Sequence, residues 1–157
     1  MKKINLILIL LLTVPSLGCG FKLVNNKDLI NFQIREITTE GDNYINYKIK
    51  RKIQLLTKNK SNNEISINLD SKKIKNIKEK NIKNKIQKYK ITINVDVNYR
   101  DIVNNESNQF VLKKTGDFSE RAQKTNSIIA ERRLIDKLCK EITDEIIYQI
   151  SLKFNDI

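Results

Sequence analysis

Residues 89–101 read "YKITINVDVNYRD". Tyr89, Ile91, Ile93, Val95, Val97 and Tyr99 fall at alternate positions, with Lys90, Thr92, Asn94, Asp96 and Asn98 between them. Successive side chains of a strand point to opposite faces, so one face of this strand is buried and the other is wet. It is the clearest strand in the chain.

Downstream, "NNESN" (104–108) reads as a turn into "QFVLKKTGDF" (109–118), where Phe110, Leu112 and Phe118 share a parity. Upstream, Ile65, Ile67 and Leu69 alternate strictly, which adds a third strand and makes a meander. Between the two lies "SKKIKNIKEKNIKNKIQK" (71–88), with Ile74, Ile77, Ile82 and Ile86 widely spaced. That spacing suits either a twisted, exposed hairpin or a short helix.

Further upstream, "INFQIREI" (30–37) places Ile30, Phe32 and Ile34 at strand intervals, and Gly41-Asp42 punctuates it. "NYINYKIKRKIQLL" (43–56) repeats Ile45, Ile49, Ile53 and Leu56 at helical intervals, with Asp42 as the N-cap. "TKNKSNN" (57–63) is a polar loop. At the other end, Ile128, Ile135, Leu138, Ile142, Ile146 and Ile150 form one apolar stripe over 119–154. Ser119-Glu120-Arg121 suits the start of that helix. Unbroken, it would be about 50 Å long. That exceeds a small sheet, so a bend or frayed start near Gln123 to Ser127 is expected. The order strand–helix–strands–helix predicts an α+β fold. Its mostly antiparallel sheet of about four strands carries two helices on one face, the last of them long.

The N-terminus has a different character. Met1-Lys2-Lys3 is basic, Leu6 to Leu12 is an unbroken apolar run, and Pro15 ends any helix. The run is too short to span a bilayer, which takes roughly 20 apolar residues. It fits an export signal over residues 1–18. "PSLGCGFKL" (15–23) then suggests a lipobox, although Ser16 stands where Leu is usual. The Cys19 thiol and the amine freed by cleavage would carry acyl chains, and two or more chains anchor stably. The competing reading is a plain secretory signal with an incidental Cys. Gly20, where inner-membrane retention favours Asp, points to the outer membrane. Residues 19–157 would then be a single domain.

Composition narrows the function. The chain has no His and no Trp, and only 4 Gly. No Gly-rich phosphate loop, metal-ligand spacing or nucleophile–base set is present. The sequence therefore calls for no cofactor and no metal, and it argues against an enzyme. A small hydrolase using two carboxylates remains the enzymatic alternative. With Cys19 lipidated, Cys139 is the only thiol left, and it reads as a small buried apolar residue among Ile135, Leu138 and Ile142.

Charge is concentrated. Residues 48–90 hold fifteen Lys and Arg against three acids, whereas the flanking segments 19–47 and 91–157 are each one charge negative. Such a segment attracts phosphates. For an exported, tethered chain the fitting partners are anionic headgroups or a phosphorylated glycolipid, not nucleic acid. The bland alternative is a lysine-blunted sheet edge. Lys50, Arg51, Lys72, Lys73 and Lys75 are the candidate contacts, chosen on local charge density.

"CGFKL" after the lipobox, the element order, and "TGDFSERAQKTNSIIAERRLIDKLCKEITDEIIYQI" (115–150) together resemble the lipopolysaccharide-assembly lipoprotein family LptE. The resemblance spans nearly all of the chain after residue 18. It implies an outer-membrane lipoprotein that plugs the LptD β-barrel and assists its folding. Such a protein contacts lipopolysaccharide and does no covalent chemistry. Only Cys19 matches a family motif residue for residue. A stand-alone, periplasm-facing lipoprotein that binds anionic lipids or serves as a transport accessory is the alternative.

Overall fold

A computed structural model describes residues 30–57 and 61–155. Residues 1–29, and with them the signal segment and Cys19, lie outside that description.

The elements run β1 (Gln33–Gly41), α1 (Asn43–Leu56), β2 (Glu64–Lys80), β3 (Ile86–Asp101), β4 (Glu106–Ser119) and α2 (Lys124–Asn155). One sheet holds all four strands in the order β1-β2-β3-β4. β1 and β2 are parallel, and the other two pairings are antiparallel. A parallel pair needs a crossover between its strands, and α1 provides it. The fold is α+β, with both helices on one face and the longer helix at the end.

The alternation in "YKITINVDVNYRD" sets the geometry. Ile91, Ile93, Val95 and Val97 are fully buried beneath the helices, while Lys90, Asp96, Asn98 and Arg100 are exposed on the other side. β2 pairs with β3 so that Leu69 meets Val97 and Ile67 meets Tyr99, which puts their odd-numbered positions on the same face. Ile45, Ile49 and Ile53 of α1 and Ile142, Ile146 and Ile150 of α2 are fully buried from above. Burial of each such side chain contributes about 1.5–3 kcal/mol. α1 packs over β1 and β2, α2 packs over β3 and β4, and the two helices touch.

Local signals explain the element ends. Asp42 accepts hydrogen bonds from Tyr44 N (3.0 Å) and Ile45 N (3.1 Å), capping α1 as its sequence suggests. Gly41 takes φ +85°, which lets β1 turn sharply into that cap. A β-carbon there would meet Ser71 O at 2.1 Å.

Five sequence expectations need correction or completion. The first strand lies at Gln33–Gly41, with a register shift between Ile34 and Glu36. Ile30 and Phe32 are buried ahead of it but outside it. Segment 71–88 is a hairpin, not a helix: β2 runs to Lys80, and Asn81–Lys85 turns into β3. The last helix starts at Lys124, not near Ser119, because β4 stays paired through Ser119 with Lys88. It then runs unbroken to Asn155. The late start expected near Gln123 to Ser127 is met at Lys124, and the alternative of a bend is not needed, because the 32-residue helix is about 48 Å long and 17-residue β2 about 56 Å. Ile128 also leaves the expected stripe, being about two-fifths exposed. Ser127 takes the inward position there, and its hydroxyl accepts from Arg121 N at 2.7 Å.

Candidate functional site

The five basic candidates do not gather into one patch. β2 presents odd positions to the helices and even positions to the open side, so Lys73 and Lys75 face the helices and Lys72 faces away. Lys73 lies 3.7 Å from Asp42, the residue that caps α1. Lys75 lies 2.6 Å from Glu131 of α2, with its ammonium 4.4 Å from the Tyr89 ring centroid and 5.1 Å from that of Phe118. Lys50 of α1 donates to Ile37 O of β1 at 2.9 Å, a bond that ties helix to strand.

Three of the five cationic groups therefore have partners within the fold. Among the described residues Arg51 makes only a 3.4 Å contact from Nη1 to the Tyr47 hydroxyl. Lys72 is exposed on the helix-free face and forms no ion pair among the described residues.

Two grooves mark the surface, and of the two remaining charges only Arg51 borders one of them. Between α1 and α2 a groove of about 220 Å³ is rimmed by Lys48, Arg51, Lys52 and Lys140, over Leu55 and Cys139. Lys48 pairs with Asp136 at 2.9 Å and Lys52 with Asp144 at 2.8 Å, and among the described residues Arg51 and Lys140 have no ion-pair partner. The hydrogen bond from Lys48 to Asp136 raises the Lys48 ammonium above its ordinary value, which keeps it charged. Burial pushes the Cys139 thiol beneath the groove up to about 12, so it stays neutral and a poor nucleophile.

The larger groove, about 500 Å³, lies on the helix-free sheet face near the β3–β4 turn. Glu36, Thr38, Ser66, Asn68, Asn98 and Gln109 line it, an amide- and hydroxyl-rich surface that both donates and accepts hydrogen bonds. Arg100, which also lines it, donates from Nε to Asn105 Oδ1 at 3.1 Å. None of the five predicted basic residues reaches this groove. Alternation in β2 and β3 marks its residues as wet, but no sequence signal separates a wet face from a concave one.

Among the described residues no group of three or more His, Cys, Asp or Glu gathers as metal ligands would. No described helix is long and apolar enough to cross a membrane.

With this geometry in view, solved structures share the fold. A putative lipoprotein from Caulobacter crescentus superposes with a TM-score of 0.58 at 11% identity, covering 81% of this chain and 93% of that one. The rare lipoprotein B from Shewanella oneidensis gives 0.55 at 9% identity, over 77% and 97%. Lipoprotein B from Nitrosomonas europaea gives 0.54 at 20% identity, over 84% and 90%. The chain has the fold of these proteins across most of its length. No family model matches its sequence, and no curated protein does.

Proposed function

We propose that this chain is an outer-membrane lipoprotein subunit of the lipopolysaccharide translocon. It plugs an LptD-like β-barrel, assists that barrel's assembly and contacts lipopolysaccharide, without catalysing a reaction. The anchor in this reading is acylated Cys19, and the domain sits on the periplasmic side or within the barrel.

The observation that carries the proposal is the union of two features. One is a fold shared with three proteins named as lipoproteins. The other is the "PSLGCGFKL" stretch that would supply a lipid tether to this chain. The helix-free face supports the same reading. Its polar rows along β2 and β3 suit contact with a hydrated wall better than with hydrocarbon. Phosphates of the glycolipid would meet Lys72 and Arg51, whose charges are open, more readily than Lys50, Lys73 or Lys75. Lys ammonium and Arg guanidinium both form charge-assisted hydrogen bonds to phosphate oxygens.

Affinity purification after native extraction tests the proposal. It predicts recovery with a large β-barrel protein. Recovery only as a free monomer, with no barrel protein, would favour a stand-alone lipid-binding lipoprotein. A paired charge reversal tests the ligand contacts: Lys72→Glu should weaken glycolipid binding at unchanged stability, whereas Lys73→Glu should cost stability first.

A further inference from the structure

The β2–β3 hairpin ends in a turn that makes no ion pair with any other element among the described residues. Asn81 builds it. Its side-chain Oδ1 accepts from Lys83 N and Lys85 N, both at 2.9 Å. Its backbone N donates to Lys85 O at 2.8 Å, and its carbonyl accepts from Asn84 N at 2.9 Å. Asn84 takes the left-handed φ of 59° that this turn requires, a conformation Asn tolerates. The turn is thus pre-formed, and at its crest Ile82 is fully exposed.

Five lysines and one glutamate lie between Lys78 and Lys88. Lys78 pairs with Asp117 and Lys88 with Glu79. Lys80, Lys83 and Lys85, which flank Ile82, form no ion pair among the described residues. The tip also overhangs the sheet, because β4 pairs no further along β3 than Lys88 and β1 no further along β2 than Ser71. Nothing else among the described residues therefore shields it. It stands about 55 Å along β2 from Glu64, the end where β1 enters the sheet.

An aliphatic crest ringed by three uncompensated ammonium groups on a rigid turn has the chemistry of an interfacial anchor. Its apolar side chain enters the boundary between headgroups and acyl chains, while the lysines hold anionic headgroups and keep their charge in water. We propose that the Asn81–Lys85 tip docks on an anionic lipid surface, with Ile82 inserted and Lys80, Lys83 and Lys85 on the headgroups. The site is separate from the five basic residues discussed above. It requires neither the barrel nor acylation of Cys19.

The test uses the absence of Trp from the chain, which makes Ile82→Trp a single-site reporter. The full chain with this substitution is mixed with phosphatidylcholine vesicles, with or without phosphatidylglycerol, carrying brominated acyl chains. The inference predicts a blue shift and bromine quenching of the introduced indole with the anionic vesicles, and neither with the neutral ones. Neutralising Lys80, Lys83 and Lys85 to Gln in that background should weaken the effect about fivefold per lysine. Circular dichroism reads the fold of each variant. Solvent-like indole emission on anionic vesicles would overturn the inference. So would a shift produced equally by soluble polyphosphate with no bromine quenching, which would make the tip a general polyanion site, or quenching that ignores the three lysines.

Discussion

Lys75 of β2 reaches Glu131 of α2 at 2.6 Å while its ammonium lies 4.4 Å from the Tyr89 ring centroid. A lysine chosen for its local charge density thus ties the long helix to the sheet. Tyr89 and Phe118 beneath it stack with centroids 5.4 Å apart, so the ion pair closes over an aromatic step between β3 and β4.

Replacing Lys75 with Gln is accordingly predicted to destabilise the fold by about 1–2 kcal/mol, combining a partly exposed ion pair with a cation–π contact. Chemical denaturation measures it. The double variant with Glu131→Gln should lose less than the two single changes added together, because they share one contact. Strict additivity would mean that the pair contributes nothing.

The two close-packed glycines should behave differently. In Gly41→Ala the new β-carbon lies 2.1 Å from the Ser71 carbonyl oxygen, backbone that cannot step aside, at a φ of +85°. In Gly116→Ala it lies 2.5 Å from Leu134 Cδ1, the end of a side chain that can rotate. Gly41→Ala is expected to cost about 3 kcal/mol or more, as strain at a special backbone position does. Gly116→Ala should cost about 1–2 kcal/mol, as overpacking does. Melting temperatures of the two variants give the comparison.

Acid should weaken the β3–β4 turn. Burial of Asp101 pushes its carboxyl upward. Hydrogen bonds from the Asn104 backbone and side chain and from Val103 N outweigh that and hold it below the ordinary value. A depressed carboxylate contributes stability that is present above the unfolded value, near about 3.9, and is lost as pH falls through the folded value. The stability gap between the wild-type chain and Asp101→Asn should therefore be widest near neutrality. It should narrow from about pH 4 downward. Urea midpoints across that range report it, and a gap independent of pH would contradict the assignment.

Cys139 should be silent in the folded protein. With its thiol pushed up to about 12 by burial, it carries almost no thiolate near neutral pH. Iodoacetamide at neutral pH is expected to leave it unmodified until denaturant is added, and then to alkylate it promptly. Peptide mapping distinguishes it from Cys19.

Much of this fold is written in the sequence, and the reason is burial on one face. Ile91 to Val97 alternate because the helices cover only one side of β3, and Ile45, Ile49 and Ile53 repeat because α1 lies on that side. Where the covering layer stops, the pattern stops too. Beyond Ile74 both faces of the hairpin are largely exposed, so Ile77 and Ile82 carry no parity, and the segment reads equally as helix or strand. Ser119-Glu120-Arg121 imitates a helix start, but cross-strand pairing with Lys88, a partner remote in sequence, keeps Ser119 in β4.

The basic candidates teach a related lesson. Local charge density treats Lys72, Lys73 and Lys75 alike, whereas strand parity, already visible from Ile65, Ile67 and Leu69, separates them onto two faces. What parity cannot give is the partner. Asp42 and Glu131 sit on other elements, and only the assembled layers bring them to Lys73 and Lys75.

The central claim is that Cys19 becomes the lipid-bearing first residue of a membrane-tethered, non-catalytic domain. The intact mass of the protein isolated from its native membranes tests this most directly. The account predicts a chain of residues 19–157 carrying a thioether-linked diacylglycerol, with or without an additional acyl group on the amine. An uncleaved N-terminus, or a cleaved chain with an unmodified Cys19, would contradict it.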